Sequence, residues 1–230
     1  MDYDTLFSQI QTYTENIFPD TYLANGSTVS YTTQINTFIQ QAESRIYNTV
    51  QIPSLRRNVT GNCSPSTAYL GCPNDYLSSY SMAVIDPTVG TYEYLLNKDV
   101  NFIRAAYPNP NDKGIPRYYA LFGSRLNDPN ELSFILGPSP DAVYSIELHY
   151  FYYPESIVTA GTSWLGDNYS PALLYGSLVE AYQYMKGEAD MMAMYNTKYQ
   201  EAMQQLNRLG TGLERQDAYR SGQARIKVNP

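Results

Sequence analysis

His149 is the single histidine of the chain, and Glu147 stands two residues before it. In an extended segment that spacing puts both side chains on one face, which is how a metal site can begin. No third ligand is suggested nearby, so the expectation is an exposed strand position rather than a metal centre. Cys63 and Cys72 are the only cysteines. As a nucleophile Cys63 has no local histidine, which leaves His149 alone to serve it as a base. A bridge between the two thiols is sterically possible, but with no secretory leader expected they read as free. Asp75, Glu93, Asp99 and Glu147 could give a carboxylate pair for glycoside cleavage if folding brought two of them together, yet no spacing singles them out. There is no P-loop and no dinucleotide fingerprint. The chemistry predicts no enzyme, no cofactor and no metal. It leaves a binding or structural role.

The elements that would position these residues read as helices at both ends and strands between. In Trp164–Leu209, Ser170 and Pro171 form a helix start. Leu174, Leu178, Ala181 and Met185 lay one apolar stripe along that helix. After a turn near Lys186–Glu188, Met192, Tyr195, Tyr199, Ala202, Leu206 and Leu209 form a second stripe, which Gly210 and Gly212 are expected to end. Each helix of this hairpin covers half of the other, so further helices are required. Leu6, Ile10, Tyr13 and Ile17 follow Asp2 and Asp4 and supply one, stopped by Phe18-Pro19-Asp20. A loop runs to Ser30. Thr32 or Thr33 then caps a helix carrying Ile35, Phe38, Ile39, Ala42 and Ile46, ended by Ile52-Pro53. In the middle, strands are expected over Arg56–Thr60, Tyr76–Ile85, Thr91–Asn97, Arg117–Phe122, Leu132–Leu136 and Val143–Tyr153. Asp99 caps a short helix, Val100–Tyr107. The fold class is therefore α+β: a helical bundle from N- and C-terminal helices (1–55 with 164–210), a central β-rich domain (56–163) and an extended C-terminal tail (211–230).

Composition bounds the partners. The chain has 230 residues, 43% of them apolar, enough to bury a core. It contains no apolar run of membrane-spanning length. The first residues carry two aspartates and no basic region, so a secretory signal is not expected, and the four Asn-x-Ser/Thr tripeptides read as chance. A net charge of −7 argues against coating nucleic acid. Tyrosine is the outlier, with 24 residues against one tryptophan and seven phenylalanines. A ring with a hydrogen-bonding tip suits surfaces that become buried against a partner, and it equally suits strands.

Phe38–Tyr47 (FIQQAESRIY), Pro73–Leu77 (PNDYL), Val100–Pro108 (VNFIRAAYP), Gly114–Gly123 (GIPRYYALFG), Leu136–Pro154 and Trp164–Tyr184 stand in an order, completed by Tyr199 and Leu206-Asn207, that resembles the head-to-tail adaptors of short-tailed phages. These are the connector proteins of the tubular tail protein A type. The loop Asn58–Gly71 and the turn at Lys186-Gly187 depart from that pattern. The resemblance implies a structural virion protein of the neck, assembled in the host cytoplasm. It implies a homo-oligomeric ring of twelve subunits between portal protein and tail nozzle protein, through which genomic DNA passes without specific binding and without any membrane contact. A cyclic ring needs two different sticky flanks on each subunit. The alternative kept beside it is a carbohydrate-binding or glycan-hydrolysing phage tail component, favoured by the tyrosines and weakened by the lone tryptophan. A purely helical completion protein is disfavoured by the strand Val143–Tyr153.

The last twenty residues differ in charge from the body. From Arg208 onward five basic and two acidic residues give +3, so the preceding chain carries −10 of the total −7. Ile226 and Val228 alternate as an added strand would. The resemblance points to an arm that docks on the portal, with Arg215, Arg220, Arg225 and Lys227 meeting acidic surface and Ile226 and Val228 inserting.

Overall fold

A computed structural model describes residues 1–22, 26–86, 90–123 and 132–218, with the backbone alone over 214–218. The elements in order are α1 (Tyr3–Thr14), β1 (Thr21–Tyr22), β2 (Thr28–Val29), α2 (Tyr31–Thr49), β3 (Arg56–Asn62), β4 (Tyr69–Gly71), β5 (Tyr76–Ile85), β6 (Tyr92–Tyr94), β7 (Leu96–Asn97), α3 (Val100–Ala106), β8 (Tyr118–Phe122), β9 (Ser133–Gly137), β10 (Ser145–Tyr152), α4 (Ile157–Ala160), α5 (Trp164–Asn168), α6 (Ser170–Met185) and α7 (Ala189–Ala218). The protein is mixed α+β. It forms two compact units, Met1–Ser54 with the chain from Pro154 onward, and Leu55–Tyr153.

In the first unit α6 is the central helix, packed against α7, α2 and α1. Its sequence explains the position. Ala172, Leu173, Leu178, Val179 and Ala181 are all buried, so the helix is apolar on more than one side, and the single stripe through Leu174 undercounts it. At Gly176 the neighbours come close: a β-carbon there would lie 3.1 Å from that of Ala42 and 3.2 Å from the Tyr199 ring. Truncating a fully buried leucine such as Leu178 to alanine should cost roughly 2–5 kcal/mol. Ser170 is the first residue of α6 rather than its cap, and no side chain caps that end. On α2 the cap is Ser30, whose hydroxyl accepts from the Thr33 amide at 3.2 Å, and not Thr32 or Thr33. Helix α1 is capped by Asp2 and stops at Glu15 in the left-handed region, φ 49°. Ile17 thus falls outside the helix and is 78% exposed, while Phe18 takes the inward place, against Phe38 and Tyr184. The β1–β2 hairpin lies in what reads as loop.

The expected stop at Gly210 does not occur, for α7 continues through Gly210 and Gly212 to Ala218. A glycine inside a helix costs about 1 kcal/mol relative to alanine, which cannot by itself end a long helix. Gly210 is buried, and a β-carbon there would come 3.3 Å from the Gln51 carbonyl oxygen. Close packing, not helix termination, explains that residue. The turn before α7 lies where expected: Lys186 is left-handed at φ 52°, and a β-carbon on Gly187 would collide with the Tyr182 ring at 2.6 Å.

The second unit is a pair of four-stranded sheets, ordered β3-β10-β5-β6 and β4-β9-β8-β7. Alternation along β10 sends Ile146, Leu148 and Tyr150 inward to meet Met82, Val84 and Tyr76. From the other sheet Tyr119, Phe134 and Leu136 join the same core. The outer face of the second sheet is covered by α3, where Ile103 packs on Ala120 and Ile135. Strand β4 was not visible in the sequence, and the single expected strand Thr91–Asn97 is two strands, one in each sheet.

Candidate functional site

Most of the residues that could carry chemistry are engaged in structural contacts. His149 is half-buried rather than exposed. It sits level with Ser81 on the neighbouring strand, and their Oγ and Nδ1 atoms are 3.3 Å apart. The exposed-position expectation overlooked that β10 lies between β3 and β5, so His149 has a neighbouring strand on each side. Cys63 and Cys72 are buried free thiols in the core between the sheets. Loss of hydration raises the Cys63 thiol above its ordinary value, so it is a poor nucleophile.

The four carboxylates do not gather into a pair. Asp99 caps α3 through the Asn101 amide at 2.7 Å. Asp75 accepts from the Tyr150 hydroxyl at 2.8 Å and pairs with Arg57 at 2.9 Å. Glu93 is level with Val84 and Glu147 with Ala83, so successive rows of the pleat put the two glutamates on opposite faces of one sheet. Among the described residues no group of three His, Cys, Asp or Glu side chains could hold a metal ion. No helix among them is long and apolar enough to cross a membrane.

Tyrosines divide into two populations. Tyr76, Tyr119, Tyr144, Tyr150, Tyr182, Tyr195 and Tyr199 are core residues. Among them Tyr144 donates its hydroxyl hydrogen bond to Asp141 and Tyr182 to the Tyr13 carbonyl, which offsets the cost of desolvating a phenol. The second population is exposed and clustered. In the helical unit Tyr13, Ile17, Tyr22 and Tyr184 are 44, 78, 81 and 51% exposed. Tyr184 belongs to a groove of about 460 Å³ between α2 and α6, shared with Phe38, Gln34 and Gln183. In the β unit Tyr92, Tyr94 and Leu96 are 53, 69 and 57% exposed, and all three lie on the edge strands β6 and β7. Large apolar surface concentrated at a helix end and along a sheet edge is a feature of interaction sites rather than of solvated faces. The tyrosine count in the sequence signalled such surface, but which residues formed it depended on the sheet order.

Of the expected docking residues, Arg215 falls within α7. Arg220, Arg225, Ile226, Lys227 and Val228 lie outside the described residues. Comparison with known proteins gives a whole-chain result: a family model described as SU10 adaptor protein matches residues 1–227. No curated protein matches the chain.

Proposed function

The chain belongs to the SU10 adaptor protein family, a structural component of phage particles, and we propose that it is the head-to-tail adaptor itself. In this reading twelve copies form a ring under the portal and above the tail nozzle, the helices making a bundle and the ring enclosing the DNA passage. It works as a mechanical joint and catalyses nothing. The observation that carries the proposal is a family match spanning nearly the whole chain, 1–227 of 230 residues, on a fold with separate apolar surfaces on two compact units. The charge distribution supports it: a body that is net acidic repels phosphate, and a conduit for DNA must not hold it. The basic residues near the C-terminus, Arg215, Arg220, Arg225 and Lys227, with Ile226 and Val228, would then meet an acidic portal surface.

Electron microscopy of purified protein, with and without purified portal, tests this reading. Closed rings seated coaxially on portals are expected. Particles that bind portal sides or remain scattered would sink it.

A further inference from the structure

Among the described residues the sheet β3-β10-β5-β6 has two margins with no strand beyond them, and they match each other. All three of its internal pairings are antiparallel. With four strands, β3 and β6 run in opposite directions, so a second copy added in the same orientation would lay its β3 antiparallel to β6. The hydrogen-bond phase agrees as well. Asp86 N–H donates to the Thr91 carbonyl and Leu95 N–H to that of Met82, which turns Glu93 toward β5 and the backbone groups of Tyr92 and Tyr94 outward. Cys63 N–H donates to the Tyr144 carbonyl, which turns Gly61 toward β10 and the backbone groups of Asn62 and Thr60 outward. Straight rows through the sheet join Asn62, Ser145, Ile85 and Tyr92, and likewise Thr60, Glu147, Ala83 and Tyr94. The outward pairs of one margin therefore stand level with the outward pairs of the other.

Gly61 is the second observation. It lies in the exposed edge strand β3, within a register that runs without a bulge from Asn62 to Arg56. A β-carbon there meets nothing within 4 Å, and its φ is not positive. Nothing among the described residues needs a glycine at this place, where it weakens the strand. A glycine on an open edge leaves room for another backbone, and the row through it ends at Glu93. Tyr92 and Tyr94 supply the apolar area that such a junction would bury.

We infer that copies of this chain join side by side through β3 of one and β6 of the next, continuing one antiparallel sheet from subunit to subunit. The occupant of each margin is a second copy of this chain. The two margins differ, so the contact is head-to-tail, the kind that builds a ring when the rotation per copy closes, and not a two-fold dimer. The inference rests on the ring reading above and specifies its lateral contact.

The test is a full-length double variant, Gly61→Cys with Glu93→Cys, oxidised after mixing with portal. Within one copy the two positions are three strand spacings apart, about 14 Å, too far to bridge. The expected result is a ladder of covalent oligomers on a non-reducing gel that neither single variant gives, and melting unchanged from the parent. A second variant, Tyr94→Pro, removes one outward N–H from an edge strand, where proline is tolerated, and should abolish ring formation without unfolding the chain. Rings seen by native mass spectrometry with no ladder, and with Tyr94→Pro still assembling, would overturn the strand junction and leave the ring reading standing. Absence of rings from the parent protein on portals would overturn both.

Discussion

Glu43 on α2 accepts a hydrogen bond from the Ile157 amide at 2.9 Å, across 114 residues of sequence. Its side chain is only 3% exposed. The contact ties the start of α4 to α2 within the helical unit.

Burial raises the Glu43 carboxyl above its ordinary value, opposed in part by hydrogen bonds from Ile157 and Ser156. The folded state therefore favours the protonated acid. The stability this contributes is complete below the unfolded value and is lost as pH rises through the raised one. Glu43→Gln keeps an acceptor and removes the charge, so it should be at least as stable as the parent at neutral pH and lose this pH dependence. Glu43→Leu strands the Ile157 amide and should cost about 1–3 kcal/mol. Urea denaturation at several pH values distinguishes the two.

Asp75 joins Tyr150 and Arg57 in one group. Arg57 is 54% exposed, so its ion pair contributes little, and the buried Tyr150 hydroxyl carries the effect. Asp75→Ala should destabilise by about 1–3 kcal/mol, more than Arg57→Ala. Equal losses from the two substitutions would contradict the assignment.

Three tyrosines should titrate late. Tyr144 is pushed up to about 12, chiefly by its hydrogen bond to Asp141. Tyr150 reaches about 12 through burial and then Asp75, and Tyr195 about 12 through burial and then Tyr182. Each is raised above the ordinary value of 10, so each stabilises the fold below that value and loses its contribution as pH climbs toward 12. Absorbance near 295 nm should show a late phase in that window, coincident with alkaline unfolding. Asp141→Asn should move one tyrosine earlier.

Gly210 and Gly212 should respond oppositely to alanine. At Gly212 nothing lies within 4 Å of a β-carbon, so Gly212→Ala should raise stability by up to about 1 kcal/mol. At Gly210 the Gln51 carbonyl is 3.3 Å away, and Gly210→Ala should give no gain or a loss. Thermal melting of both variants decides it.

Removing residues 219–230 leaves the described span of α7, Ala189–Ala218, intact. On the proposed docking role the truncated chain should melt like the parent but attach weakly to portal, having lost Arg220, Arg225, Ile226, Lys227 and Val228. Full occupancy of portals by the truncated protein would refute that role.

Local physics alone determined much of this molecule. Asp99 before Val100 specified a cap and a helix start, because a carboxylate and free amides are neighbours in sequence. Alternation made Val143–Tyr153 legible as a strand, which runs Ser145–Tyr152, and the spacing of Ile35 to Ile46 gave α2 its buried face. The carboxylate candidates show the limit of such reading. Residue type marked Asp75, Glu93 and Glu147 as able to react, yet only the register put Glu93 and Glu147 on opposite faces and Tyr150 against Asp75. Sheet order likewise turned Thr91–Asn97 into the margin of two sheets and left Tyr92, Tyr94 and Leu96 outside. Gly210 read as a helix stop because a stop is the local meaning of glycine, whereas the approach of Gln51 gave it a different use. Caps and periods act over a few residues and are written in sequence. Margins, faces and close approaches arise from segments far apart in the chain, and only their packing decides them.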